Sequence, residues 1–358
     1  MEGKANSRRD PLGLSPRALY FLLAYAWDLY DPLDEILAAA ATLKSPADLL
    51  FHALAIEASR IFRRGPFREY VEAEYIGPTV RGRLDVAGTL REDLGRSRIA
   101  VSMNTKLSPD CPHNRVIKAA LAMAMRLPGL DPTVRERARL VEKVFPGRAL
   151  IGRIQAFDDI RAARLHRNNG GYRRALGFAK LILISMKPAG SAWRFTDPFD
   201  RARMNRLFEQ FLRNFYRREV GASSKVGSEV LRWSPRRNAL LPDMRTDITI
   251  RGADHCMVID AKYYRESFAE YHGKHTIRSG HLYQIHSYCR VSATTDLRQR
   301  PWSGALVYAR SHEEFKTVFD LKGFPIQVIG LDLETSSAAI LDRLRSIWTE
   351  YPAKERKG

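Results

Sequence analysis

Two aspartates and a lysine, Asp247, Asp260 and Lys262, carry the strongest chemical signal in this chain. Asp247 opens the alternating run Ile248-Thr249-Ile250-Arg251, and the other two close the run Cys256-Met257-Val258-Ile259-Asp260-Ala261-Lys262. Gly252-Ala253-Asp254 interrupts the alternation between them, the pattern of a β-hairpin. Antiparallel partners have residue numbers of constant sum, and a two-residue loop at Ala253-Asp254 pairs 252 with 255, so the sum is 507. Asp247 then faces Asp260, and Lys262 shares the face of Asp260 because strand side chains repeat every second residue. Carboxylates on neighbouring strands stand about 5 Å apart and repel by roughly 3 kcal/mol at an effective dielectric of about 20. A positive group therefore belongs between them. The apolar run Met257-Val258-Ile259 reads as buried, and a buried carboxylate without a partner is costly. A divalent cation or an ion pair with Lys262 meets that requirement; a solvated hairpin tip is the plainer alternative.

Such a hairpin needs a frame. Asp197-Pro198 opens a long helix with apolar residues at Met204, Leu207, Phe208, Phe211, Leu212 and Phe215, one continuous stripe that predicts packing on the sheet. Arg201, Arg203, Arg206, Arg213, Arg217 and Arg218 decorate its other surfaces, where a phosphate backbone or plain solvent would meet them. After the hairpin, residues 279–291 read as a helix, 304–310 and 326–333 as strands, and 336–351 as a closing helix. Helix, hairpin, helix and strand predict an α/β sandwich with a mixed sheet.

The earlier half reads as mixed α and β. Ser15-Pro16 and Ser45-Pro46 each start an apolar helix, with serine as cap and proline in the first turn. Residues 68–93 alternate around Gly77-Pro78 and predict two strands, and 98–103 a third. Residues 114–127, 132–145 and 172–186 predict helices, with His166-Arg167-Asn168-Asn169 in an exposed polar loop. The expected division is a domain over 1–190 and a second over 191–358, broken at Lys187-Pro188-Ala189-Gly190-Ser191.

The 358 residues carry a formal charge of +19, from 59 lysines and arginines against 40 acids. A balance this basic points to a polyanion, nucleic acid above all. Cys111, Cys256 and Cys289 are too scattered for a disulfide framework or a zinc knuckle. No run reaches the length of a membrane span and the start lacks a signal-peptide core, so the expectation is a cytoplasmic chain with no membrane partner.

In several separated segments the chain resembles the McrC family of modified-cytosine restriction systems. They are LYFLLAYAWDLYD, VRGRLDVAGTLR, NRVIKAALAMAM, MRTDITI with VIDAKYY, and LYQIHSY, in that family's order. The resemblance implies a partner-docking α+β domain followed by a PD-(D/E)xK endonuclease domain of α/β class. It implies a McrB-like AAA+ GTPase partner forming a hexameric ring, which binds the GTP and reads the modified base in double-stranded DNA. This sequence has no GxxxxGK[ST] phosphate loop of its own. The cofactor implied here is magnesium (Mg2+), with Asp247 and Asp260 as metal ligands and Lys262 as the catalytic lysine. The literal Pro242-Asp243 dipeptide is a decoy, since its opposite number is 264. Gln284 and Tyr288 match the QxxxY spacing of RecB-like members, and Glu209 stands where many such nucleases draw a further acidic ligand. Two other classes stay open: a non-catalytic adaptor with a nuclease fold, and a stand-alone RecB-like repair nuclease.

Overall fold

The computed structural model describes residues 13–31, 33–93, 99–147, 153–190, 192–221, 224–234, 240–263, 268–271, 274–310 and 314–350. Arg98 and Tyr351, the ends of two expected elements, lie outside them. Contacts divide the chain into two compact units, residues 1–49 with 197–358, and residues 50–196. The expected break after residue 190 falls close to the observed one after 196, but residues 1–49 join the C-terminal unit.

Helices α1 (Pro16–Ala26), α2 (Glu35–Ala40) and α3 (Pro46–Arg64) open the chain. The Ser15 hydroxyl accepts from Ala18 N at 3.2 Å, the cap its sequence promised. Next come β1 (Glu69–Gly77), β2 (Arg83–Leu84), α4 (Val86–Asp93) and β3 (Ala100–Ser108). Helices α5 (Pro112–Ala122), α6 (Pro132–Val144), α7 (Arg153–Ala162) and α8 (Arg173–Ser185) and the hairpin β4 (Met186–Ala189) with β5 (Ala192–Phe195) complete the second unit.

Two expectations in this unit fail for local reasons. Residues 86–93 are a helix, not a strand, because Asp85 caps it: its carboxylate accepts from Gly88 N at 3.0 Å. β1 therefore pairs with β3 rather than across Gly77-Pro78. Nor is the 166–169 segment simply exposed. Asn169 is buried, with its amide donating to Arg164 O at 3.0 Å and lying 3.1 Å from His113 Nε2, because a buried carbonyl needs a donor.

In the other unit, α9 (Arg201–Glu219) leads to β6 (Lys225–Gly227), β7 (Val230–Leu231), β8 (Met244–Arg245), β9 (Ile248–Arg251) and β10 (Cys256–Lys262). There follow β11 (Phe268–Tyr271), β12 (Lys274–Ile277), α10 (Ser279–Thr295), β13 (Trp302–Arg310), β14 (Phe315–Leu321), β15 (Phe324–Asp332) and α11 (Ser337–Thr349). Six of these strands form a mixed sheet ordered β14-β15-β13-β10-β9-β6, with β10, β13 and β15 parallel. Parallel strands covered on both faces read as continuous apolar runs, and all nine residues of β13 are buried.

One face carries Cys256, Val258, Leu306 and Tyr308, packed with Ile285 and Cys289 of α10. By strand parity Asp260 and Lys262 project to the same face. On the opposite face Gln327 donates to Ile347 O of α11, and Tyr216 of α9 donates to Leu344 O. The whole α9 stripe is buried. Part of it meets α1 rather than the sheet: Phe211 lies 5.5 Å from Phe21 and 5.4 Å from Tyr25, ring centre to ring centre.

Candidate active site

The hairpin has the register its sequence dictates. Ile248 pairs with Ile259 and Arg251 with Cys256, both summing to 507, and Gly252 N closes the turn on His255 O at 3.0 Å. Asp247, one residue before β9, accepts from Ala261 N at 2.8 Å, which ties its carboxylate to the end of β10. Asp260 is fully buried on that strand, and the Lys262 ammonium stands 2.6 Å from its Oδ2. The positive group demanded by two adjacent carboxylates is therefore the lysine. Behind it, Lys262 Nζ donates to Gln284 Oε1 at 2.9 Å, and Gln284 Nε2 donates to Tyr288 OH at 2.9 Å. That second bond fixes the amide so that its oxygen faces the ammonium.

The carboxyls feel one another. Burial, and then the charge of Asp260, push the Asp247 carboxyl up to about 6. Burial raises Asp260 too, although Lys262 opposes it, and Glu209 is raised by burial and by Asp247. Asp260 Oδ1 is buried and receives no hydrogen bond among the described residues. Paired carboxylates with an unsatisfied oxygen are the hard donors magnesium takes, and that ion is commonly held by only one or two carboxylates with waters completing its shell. Among the described residues no group of three or more His, Cys, Asp or Glu is arranged to hold a metal. Glu209 does not close such a set because its carboxylate is bonded to Arg213.

Arg213 also donates through Nε and Nη2 to Asp247 O, at 3.2 and 3.0 Å. It thus links α9 to the backbone of the first aspartate, a role that the regular i, i+4 spacing of Glu209 and Arg213 signals only in part. The α9 arginines divide accordingly: Arg218 pairs with Asp28, Arg203 bonds Pro198 O, and Arg206 lines a cleft beside Asp247. Asp243 is exposed, 3.9 Å from Arg232. His281, which sequence reasoning passed over, lies one turn before Gln284. Its Nδ1 is 2.8 Å from Tyr308 OH, and burial with the nearby Lys262 charge lowers its pKa to about 4.

The raised Asp247 carboxyl sets a pH dependence of stability in metal-free protein. A folded pKa above the unfolded one binds the proton more tightly in the native state, so stability is fully present at low pH and falls as pH rises from about 4 through about 6. Urea unfolding in chelator will show wild type losing stability relative to Asp247→Asn across that window. A pH-independent difference between the two would contradict it.

A family model described as McrBC 5-methylcytosine restriction system component matches residues 3–309. The chain belongs to the McrBC family. The match takes in Asp247, Asp260, Lys262, Gln284 and Tyr288 and ends within β13. This McrBC-family chain is 28% identical over 345 residues to the type IV methyl-directed restriction enzyme EcoKMcrBC of Escherichia coli strain K12, covering 94% of this chain and 97% of that protein. Its fold resembles one in a half-complex from the tetradecameric assembly of Thermococcus gammatolerans McrB AAA+ hexamers with bound McrC. There the TM-score is 0.59 at 19% identity, over 94% of this chain and 76% of that one. No helix among the described residues is long and apolar enough to cross a membrane.

Proposed function

We propose that this chain is the DNA-cutting subunit of a modification-dependent restriction system. It acts as a magnesium-dependent endonuclease together with an AAA+ GTPase ring, on double-stranded DNA carrying modified cytosine. The observation that carries this is the convergence of Asp247, Asp260 and Lys262 at the end of β10, backed by Gln284.

Asp247 and Asp260 would hold the ion. Bound magnesium supplies positive charge at a phosphoryl oxygen and a water of lowered pKa. Lys262 orients the attacking oxygen and offsets negative charge that grows on the phosphate. Gln284 and Tyr288 hold the ammonium in that position, and Arg213 keeps the Asp247 backbone in register with it. A chain without a phosphate loop leaves GTP hydrolysis to its partner.

The test is cleavage of methylated and unmethylated duplexes by this chain with a McrB-type GTPase, GTP and magnesium, omitting each component in turn. Cutting that needs all of them, methylation included, supports the proposal. No cutting with the full mixture would favour an adaptor, and cutting without the GTPase would favour a stand-alone nuclease.

The 50–196 unit is the proposed contact with the ring. Gly82 turns at φ +86, where a Cβ would meet Met103 O at 2.3 Å, and Arg81 and Arg83 flank it. The Arg81 guanidinium rests 4.3 Å above the Tyr75 ring. Reversing both charges, Arg81→Glu with Arg83→Glu, is expected to lower stimulation of GTP hydrolysis by about tenfold or more, the scale of a like-charge mismatch at an interface. Steady-state GTPase assays check it, and unchanged stimulation would remove this segment from the interface.

A further inference from the structure

Beside the carboxylate pair lies an open cleft of about 400 Å³, lined by Arg206, Glu209, Gln210, Arg213, Arg245, Thr246 and Asp247. Two elements build it. Arg206, Gln210 and Arg213 fall at i, i+4 and i+7, one face of α9. Arg245 and Asp247, two residues apart, approach from the strand side.

The charges within it are unequally committed. Glu209 and Arg213 bond each other, so their charges are largely spent internally. The Thr246 hydroxyl is buried against Glu229 N and Thr249. Arg245 gives Nε to the neutral Ser228 hydroxyl at 3.0 Å and keeps its charge. Arg206 and Gln210 are exposed at the same opening. What the cleft presents outward is two exposed guanidiniums and an amide, next to groups proposed to act on phosphate. An oxyanion of tetrahedral shape suits them, because guanidinium forks bind phosphate oxygens in pairs.

Resting on the nuclease reading, we propose that this cleft seats the non-bridging oxygens of the DNA backbone phosphate next to the one that is cut, with Arg206 and Arg245 as its ligands and Gln210 assisting. The seat sets the strand's register on the carboxylates. It reads no base, since phosphate contacts position without specifying sequence.

The experiment is a salt titration of duplex binding by the assembled complex, followed by fluorescence anisotropy, alongside steady-state cleavage. For Arg206→Ala with Arg245→Ala, the slope of log affinity against log salt is expected to fall by about one, the value for one lost phosphate contact. KM for DNA rises while GTPase stimulation is unchanged. Arg206→Lys with Arg245→Lys keeps most of the slope, which separates charge from misfolding. An unchanged slope in the alanine pair would overturn the seat. A normal wild-type slope with no cleavage under any condition would overturn the nuclease reading and leave the seat standing.

Discussion

Asp260→Asn in the assembled complex loses DNA cleavage by about 10³-fold or more, on the scale of removing one member of a cooperating catalytic set, while GTPase stimulation by the same preparation persists. The exchange removes one negative charge and almost no volume. On the proposed reading Asp247 alone would be left to hold the ion, and the Lys262 ammonium loses the carboxylate 2.6 Å away. That loss has a structural cost, because Lys262 is itself buried and a buried charge stripped of its partner costs about 3–5 kcal/mol. Gln284 still accepts from Nζ and softens it. Unfolding must therefore be measured with activity. Asp260→Leu combined with Lys262→Met removes both charges together, a change that is often neutral for stability. It should unfold near the wild-type midpoint and still cut nothing. Asp260→Asn that cuts at the wild-type rate would remove Asp260 from the chemistry.

How far the site could be read from sequence depends on which interactions are local. The hairpin register followed from where alternation broke at Gly252 and resumed at Cys256, because strand pairing is counting once the loop is located. The Gln284 and Tyr288 spacing places both on one side of α10, the side that meets Lys262. Arg213 was legible only as one arginine among six, since nothing in α9 announces that this guanidinium reaches a carbonyl 34 residues along the chain. The helix over residues 86–93 was hidden for another reason. Leu84, Val86 and Leu90 fall at even positions and continue an alternating pattern that favours strand, and the deciding contact is one Asp85 cap that pattern counting does not weigh. The Asn169 network failed similarly: asparagines beside two glycines read as turn, and the partners that bury this one come from residues as far off as His113.

The placement of residues 1–49 has the largest consequence for stability. A fragment cut at the boundary expected from sequence, residues 191–358, retains α9 but lacks α1, and it should not fold cooperatively. Nine of the eleven residues of α1 are buried, among them Leu19, Tyr20, Phe21, Leu22, Leu23 and Tyr25. Burying each large one contributes about 1.5–3 kcal/mol, so losing them together removes an amount comparable to the usual net stability of about 5–15 kcal/mol. The polar ties go with it. Asn214 donates to Tyr25 O and Ala26 O at the end of α1, Ser15 bonds Glu334 through both its amide and its hydroxyl, and Arg17 donates to Thr335 O. Without them Phe211 and Phe215 face water from a helix that also carries the Arg213 link to Asp247. The fragment should bind a hydrophobic dye and melt without a sharp transition, and a peptide of residues 13–44 added in trans should reduce the dye signal and restore a transition. A single sharp unfolding transition of the fragment alone would show that α1 is dispensable and that the C-terminal unit begins where the sequence alone would place it.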